Sequence, residues 1–188
     1  MKKIRLTAIV LVIIIGLLTL SGCNIKNLVN LLNSNSNSIV KETVLSTDEK
    51  FSIEVPSNWD KETQLNDAAI ISVSNAAKEQ YALVISELKE DFDDSVGIQE
   101  YYDIIKEQYY TPLKDFEIGT ESRTTINGNN AITVDFKASS NGVKVAFWVY
   151  IVETTDSYNQ LMGWTLQSKK EVNEETILTV MNSFKENN

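Results

Sequence analysis

Apolar and polar positions follow three different rhythms along this chain. Residues 6–20 are apolar apart from Thr7, Gly16 and Thr19, and they stand behind a basic start of Lys2, Lys3 and Arg5. This is the layout of an export signal. Its fifteen residues would span about 22 Å as a helix, short of the roughly 30 Å hydrocarbon core, so a removable signal is expected over residues 1–22 in place of a permanent span. Residues 24–32 then set Ile25, Leu28, Val29 and Leu32 at helical spacing. Residues 33–38 alternate Asn and Ser and have nothing apolar to bury. So short a helix is marginal in water, and residues 23–40 are read as a flexible linker ahead of an interfacial helix.

Over residues 41–188 the rhythm becomes that of one compact domain. Phe51, Ile53 and Val55 alternate with Ser52 and Glu54 until Pro56, after a short strand at 44–45. Strands follow at 70–73 and 81–88, the second apolar on both faces and so in need of cover on both sides. Ile98, Tyr101, Tyr102, Ile105 and Tyr109 form a helical stripe, with Ser95 as its expected N-cap and Pro112 as its stop. Four strands follow at 116–126, 131–138, 143–152 and 158–167. Asn127-Gly128 and Asn141-Gly142 are hairpin signals between the first three, and Thr155-Asp156-Ser157 makes the last turn. The run 143–152 is apolar on both faces and is expected to be central. A final helix carries the stripe Ile177, Val180, Met181 and Phe184; Asn173 is its expected cap, with Glu174 and Glu175 at the positive end of its dipole and Val172 stapled to Ile177. The expected class is α+β, an α/β/α sandwich with a central antiparallel sheet of about six to eight strands flanked by helices.

Charge narrows the partners. The net charge is −9, and without the three bases of the signal 14 bases face 26 acids, a net of −12. Such a surface repels nucleic acid and anionic headgroups, so proximity to a membrane would have to come from a lipid. Chemistry is sparse. There is no histidine and one cysteine, and no CxxC, HExxH or glycine-rich phosphate loop, so the usual acid–base, thiol and phosphate machinery is missing. The domain is read as non-enzymatic and without a cofactor. Glu87, Glu90, Asp91, Asp93 and Asp94 form an acidic cluster in which Glu90, Asp91, Asp93 and Asp94 are the metal candidates, for calcium. Their spacing does not match an EF-hand, and a solvated loop is the preferred reading. Tyr101, Tyr102, Tyr109 and Tyr110 are expected to pack in the core, a surface groove lined by Tyr110 and its neighbour being the less favoured reading, and Trp59 is expected to pack against the sheet.

Leu20-Ser21-Gly22-Cys23, directly behind the apolar run, resembles the lipobox of bacterial lipoproteins. The resemblance implies that signal peptidase II recognises these four residues and cuts before Cys23, and that Cys23 carries a diacylglyceryl anchor holding the domain on the extracytoplasmic side of the cell membrane. Two or more acyl chains hold a protein stably where one holds it marginally. A second resemblance lies in the domain. Phe51-Ser52-Ile53-Glu54-Val55-Pro56-Ser57-Asn58-Trp59 is similar to the opening strand and turn of the PsbP and Mog1 superfamily, and Met181-Asn182-Ser183-Phe184-Lys185 to the end of its last helix. That family implies the same α/β/α sandwich and a binding or assembly module for an envelope protein or a small ligand. The alternative is a substrate-capturing accessory of a transporter or envelope-assembly complex. Mass spectrometry of the native protein should find Cys23 as its first residue with a diacylglyceryl mass attached, and Cys23→Ser should retain residues 1–22.

Overall fold

The computed structural model describes residues 40–111 and 113–187. The signal, the Leu20–Cys23 stretch, most of the linker and Pro112 lie outside them. Eleven elements follow one another: β1 (Lys41–Leu45), β2 (Phe51–Pro56), β3 (Ile71–Asn75), β4 (Gln80–Leu88), α1 (Ile98–Tyr110), β5 (Lys114–Ile126), β6 (Asn129–Ser140), β7 (Val143–Glu153), β8 (Ser157–Leu166), α2 (Lys170–Asn182) and β9 (Lys185–Glu186). Six strands make one sheet in the order β3-β4-β8-β7-β6-β5, every neighbour antiparallel. β1, β2 and β9 form a second, three-stranded sheet.

Side chains alternate across the large sheet and feed two cores. One face carries Leu83, Ile85, Val134, Phe136, Phe147, Val149 and Met162, and α1 covers it with Tyr101, Tyr102, Ile105 and Tyr109. The opposite face carries Ala82, Val84, Ala146, Trp148, Val152 and Leu161. α2 packs across β4, β7 and β8 there, and the small sheet adds Phe51, Ile53 and Val55 to the same core. Trp59, 3% exposed, joins it. The two-sided run at 143–152 is therefore central, as its pattern requires.

Both Asn-Gly pairs form tight hairpins. Asn127 and Gly128 have φ of 46° and 88°, Asn141 and Gly142 of 50° and 82°, the left-handed pair that a two-residue turn between twisted strands needs. Asn127 Nδ2 also donates to the carbonyls of Phe184 at 2.7 Å and Asn182 at 3.2 Å, tying this tip to the end of α2.

Several local expectations are corrected. The first two strands do not extend the large sheet; they form the smaller one with β9. α1 is preceded by Gly97, not capped by Ser95, and the Glu100 carboxylate accepts the Gly97 amide at 3.1 Å. α2 begins at Lys170, so Asn173 lies inside its first turn and faces the sheet, while Val172 is 79% exposed and staples nothing. Leu88 is 42% exposed at its strand end. The helix does not run through Ser183-Phe184-Lys185. It stops at Asn182 because Phe184 turns under the small sheet to stack on Phe51, ring centres 5.6 Å apart. Ser183 Oγ donates back to the Val180 carbonyl and accepts the Glu54 amide.

α2 approaches β8 at Gly163, where a Cβ would stand 2.4 Å from Ile177 Cγ2 and 2.7 Å from Met181 Sδ. Gly163→Val should therefore destabilise the fold by about 1–3 kcal/mol through overpacking, and Phe184→Ala by about 3–5 kcal/mol through loss of a fully buried ring. Urea denaturation of each variant against the parent reads both.

Candidate functional site

The places where polar chemistry meets the fold are few, and most prove to be engaged internally. Gln160, on β8, faces α1 and is 8% exposed. Its Nε2 donates to Glu87 Oε2 at 2.9 Å and to Tyr101 Oη at 2.7 Å, and its Oε1 accepts Tyr109 Oη at 2.5 Å. Tyr101 Oη donates in turn to Glu87 Oε2 at 2.5 Å. Buried polar groups must find partners, and this ring of four satisfies itself while fixing α1 to the sheet. Burial, followed by the charge of Glu87, pushes the Tyr101 and Tyr109 phenols upward. Burial, then the Tyr110 hydroxyl at 3.2 Å, does the same to Tyr102. Tyr110 is half-buried between Phe116 and Phe136, so it belongs to the rim of the core.

On the other face Asn173 Nδ2 donates to Thr165 Oγ1 and to the Lys78 carbonyl, both at 2.8 Å, and its Oδ1 accepts Gln80 Nε2 at 2.9 Å. Asn159 is fully buried, with Nδ2 shared among the Val152 carbonyl, Thr154 and Ser157. Glu90, Asp91, Asp93 and Asp94 are all exposed. Among the described residues no three acids, cysteines or histidines converge as a metal site would require. The Leu20–Cys23 residues lie outside the described part of the chain.

Among the described residues, a groove of about 430 Å³ lies at one end of the large sheet. It is lined by Val143 and Lys144 from the start of β7, and by Leu166, Gln167 and Ser168 where β8 turns toward α2. The local sequence explains its shape. Asn141-Gly142 reverses the chain and starts β7 at Val143, Val145 pairs with Leu166, and a single 3₁₀ turn at Gln167–Lys169 leads into α2. Two residues earlier on β8, Trp164 is 9% exposed and stacks on Tyr81, ring centres 5.4 Å apart. Burial, with help from Glu79, raises the Tyr81 phenol to about 12. Lys144 is exposed and forms no ion pair among the described residues. The groove thus offers two aliphatic side chains and one cation, and it is too open to enclose a small ligand as a deep pocket does. Sequence reasoning favoured core packing for Tyr110 and did not single out Val143 and Leu166 as groove residues. Their only signal was their position at strand ends beside a turn.

No protein-family model matches the chain, and a search of curated proteins finds no match. Solved structures do match it. The cyanobacterial PsbP of Synechocystis superposes with a TM-score of 0.57 at 10% identity, covering 83% of this chain and 99% of that one. LpqN of Mycobacterium tuberculosis, described as involved in cell envelope biogenesis, gives 0.50 at 14% identity over 79% of this chain and 91% of its own. A protein of unknown function from Pseudomonas aeruginosa gives 0.50 at 12% identity, over 76% and 94%. At these identities what is shared is the fold, and it is the PsbP-like sandwich that the F-x-I-x-V-P-x-x-W stretch resembles.

The tyrosines make stability depend on alkaline pH. Tyr101, Tyr102 and Tyr109 hold their protons more tightly folded than unfolded. Their contribution is complete below the unfolded value of about 10 and is lost as pH rises above it, because the unfolded chain then releases protons that the fold retains. Tyr81 should ionise within the fold at about 12 unless unfolding comes first. Tyrosinate absorbance and far-ultraviolet circular dichroism followed together should show Tyr101, Tyr102 and Tyr109 ionising in the same step that unfolds the chain.

Proposed function

We propose that this protein is a lipid-anchored module of the cell envelope, facing outward from the membrane, that binds another envelope protein without catalysing a reaction. The observation that carries the reading is the order of the chain: a basic and apolar signal, Leu20-Ser21-Gly22-Cys23, an Asn/Ser tether, and then a PsbP-like domain. LpqN, with the same fold, is described as acting in cell envelope biogenesis, which supports the location. No described helix is long and apolar enough to cross a membrane; in this reading a lipid on Cys23 supplies the attachment.

The binding role draws its support from the groove. A protein partner presenting an apolar residue beside a carboxylate would satisfy Val143, Leu166 and Lys144 together, and an acidic domain gains specificity from one cation set in apolar surroundings. The carboxylate drawn into a buried network, Glu87, has its hydrogen bonds taken by Tyr101 and Gln160. That engagement supports a structural role for it over acid–base work.

Crosslinking in intact membranes followed by pull-down tests both halves. The native protein should recover a defined envelope partner and carry the diacylglyceryl mass that Cys23→Ser lacks, and Leu166→Asp combined with Lys144→Glu should lose the partner by roughly ten-fold or more while remaining membrane-bound. Recovery unchanged by the groove variant would remove the groove from the reading; no enrichment from native membranes would end the binding reading itself.

A further inference from the structure

The two edges of the large sheet are treated differently. β3 is short, and its outer side is partly occupied: the Asp60 and Ser74 backbones exchange hydrogen bonds of 2.7 Å and 2.9 Å. β5 is thirteen residues long and, among the described residues, pairs only with β6. Residues 117–125 are exposed throughout, Ile118 at 55%. Irregularities fall between Lys114 and Glu117 and between Ile118 and Glu121; from Glu121 to Ile126 the register is unbroken. The two irregularities blunt the first half of this edge, and the regular stretch after them is left as a template for another strand.

The charges of this edge invert when it is read in the opposite direction, Glu121 and Arg123 standing symmetrically about Ser122. Laid antiparallel against itself about Ser122, it sets Glu121 opposite Arg123, Arg123 opposite Glu121, Thr120 opposite Thr124 and Ser122 opposite Ser122. Opposite residues in an antiparallel pair project from the same face. Arg123 donates to Gln99 of α1, and Glu121 lies close enough to raise the Tyr102 phenol, so both charged side chains stand on the α1 face. A two-fold axis perpendicular to the sheet keeps that face common to the two copies. The opposed charges therefore meet on one side, and Thr faces Thr on the other, both favourable cross-strand pairs.

We propose that β5 is a self-association edge, where two copies of this chain join through Thr120–Thr124 into one continuous sheet across a two-fold axis at Ser122. The bulge at Gly119 and Thr120, where Asp135 Oδ1 accepts the Thr120 amide at 3.0 Å, bounds the ladder at one end. The hairpin at Asn127-Gly128 bounds it at the other. The interface is short, and anchoring both copies in one membrane would raise their effective concentration.

The full chain carrying Cys23→Ser, in mild detergent, tests this by disulfide formation from single introduced cysteines. Ser122→Cys should oxidise to a dimer at least about ten-fold faster than Thr124→Cys, since in the paired register only residue 122 meets itself. Mixing Thr120→Cys with Thr124→Cys should restore rapid crosslinking between unlike chains. Adding Glu121→Lys to Ser122→Cys should slow the reaction roughly ten-fold by setting like charges opposite one another, and adding Arg123→Glu as well should return it to within a few-fold of the start. Equal rates at positions 122 and 124, or rates indifferent to the charge reversals, would overturn the proposal. All these positions are exposed, and circular dichroism of each variant should match that of the parent.

Discussion

A sheet whose central strand is apolar on both faces needs two covers, and the rest of this molecule follows from that requirement. Val145, Phe147, Val149 and Ile151 point one way from β7, and Ala146, Trp148, Tyr150 and Val152 the other; none is more than 8% exposed. Burying each large apolar side chain contributes about 1.5–3 kcal/mol, so losing either cover would forfeit several such contributions at once. With its only cysteine at position 23, the domain has no disulfide to fall back on. Packing must hold it.

The covers are seated by different means. α1 is positioned by polar groups, Gln160 and Glu87 reaching for Tyr101 and Tyr109. A helix fixed only by apolar contact can slide along a greasy face; hydrogen bonds of fixed length and direction select one position. α2 is set by close approach at Gly163 and by Asn173, which spans the Lys78 carbonyl, Thr165 and Gln80. The small sheet then closes the second core around Phe51 and Phe184. Its strands are joined to the end of α2 by Ser183 and to β9 by backbone pairing, so the two ends of the domain are held together.

Much of the fold was legible because period-two and period-3.6 patterns are strong over eight or more residues. The strands from 116 to 167, both Asn-Gly turns and the stripes of both helices were read directly. Helix starts were not. Ser95 and Asn173 have side chains suited to capping, yet α1 uses the Glu100 carboxylate instead, and Asn173 is needed for a buried triangle of partners that no local pattern announces. The second sheet was likewise invisible, because Lys185 and Glu186 are too few to carry a period and pair with residues far away in the chain. The groove was missed for a related reason: it is made by strand ends that converge only in three dimensions.

The two hairpin tips will not age alike. In an Asn-Gly pair the following amide nitrogen can attack the asparagine side chain and expel ammonia, leaving an acidic residue with a rearranged backbone. At Asn127 the side-chain nitrogen is held by the carbonyls of Asn182 and Phe184, which restrains the rotation that this attack requires. Asn141 is exposed and has no such restraint among the described residues. Of the two tips, Asn141 is therefore the one where this reaction would go faster, and its new negative charge would stand beside Val143 and Lys144, offsetting the cation of the groove.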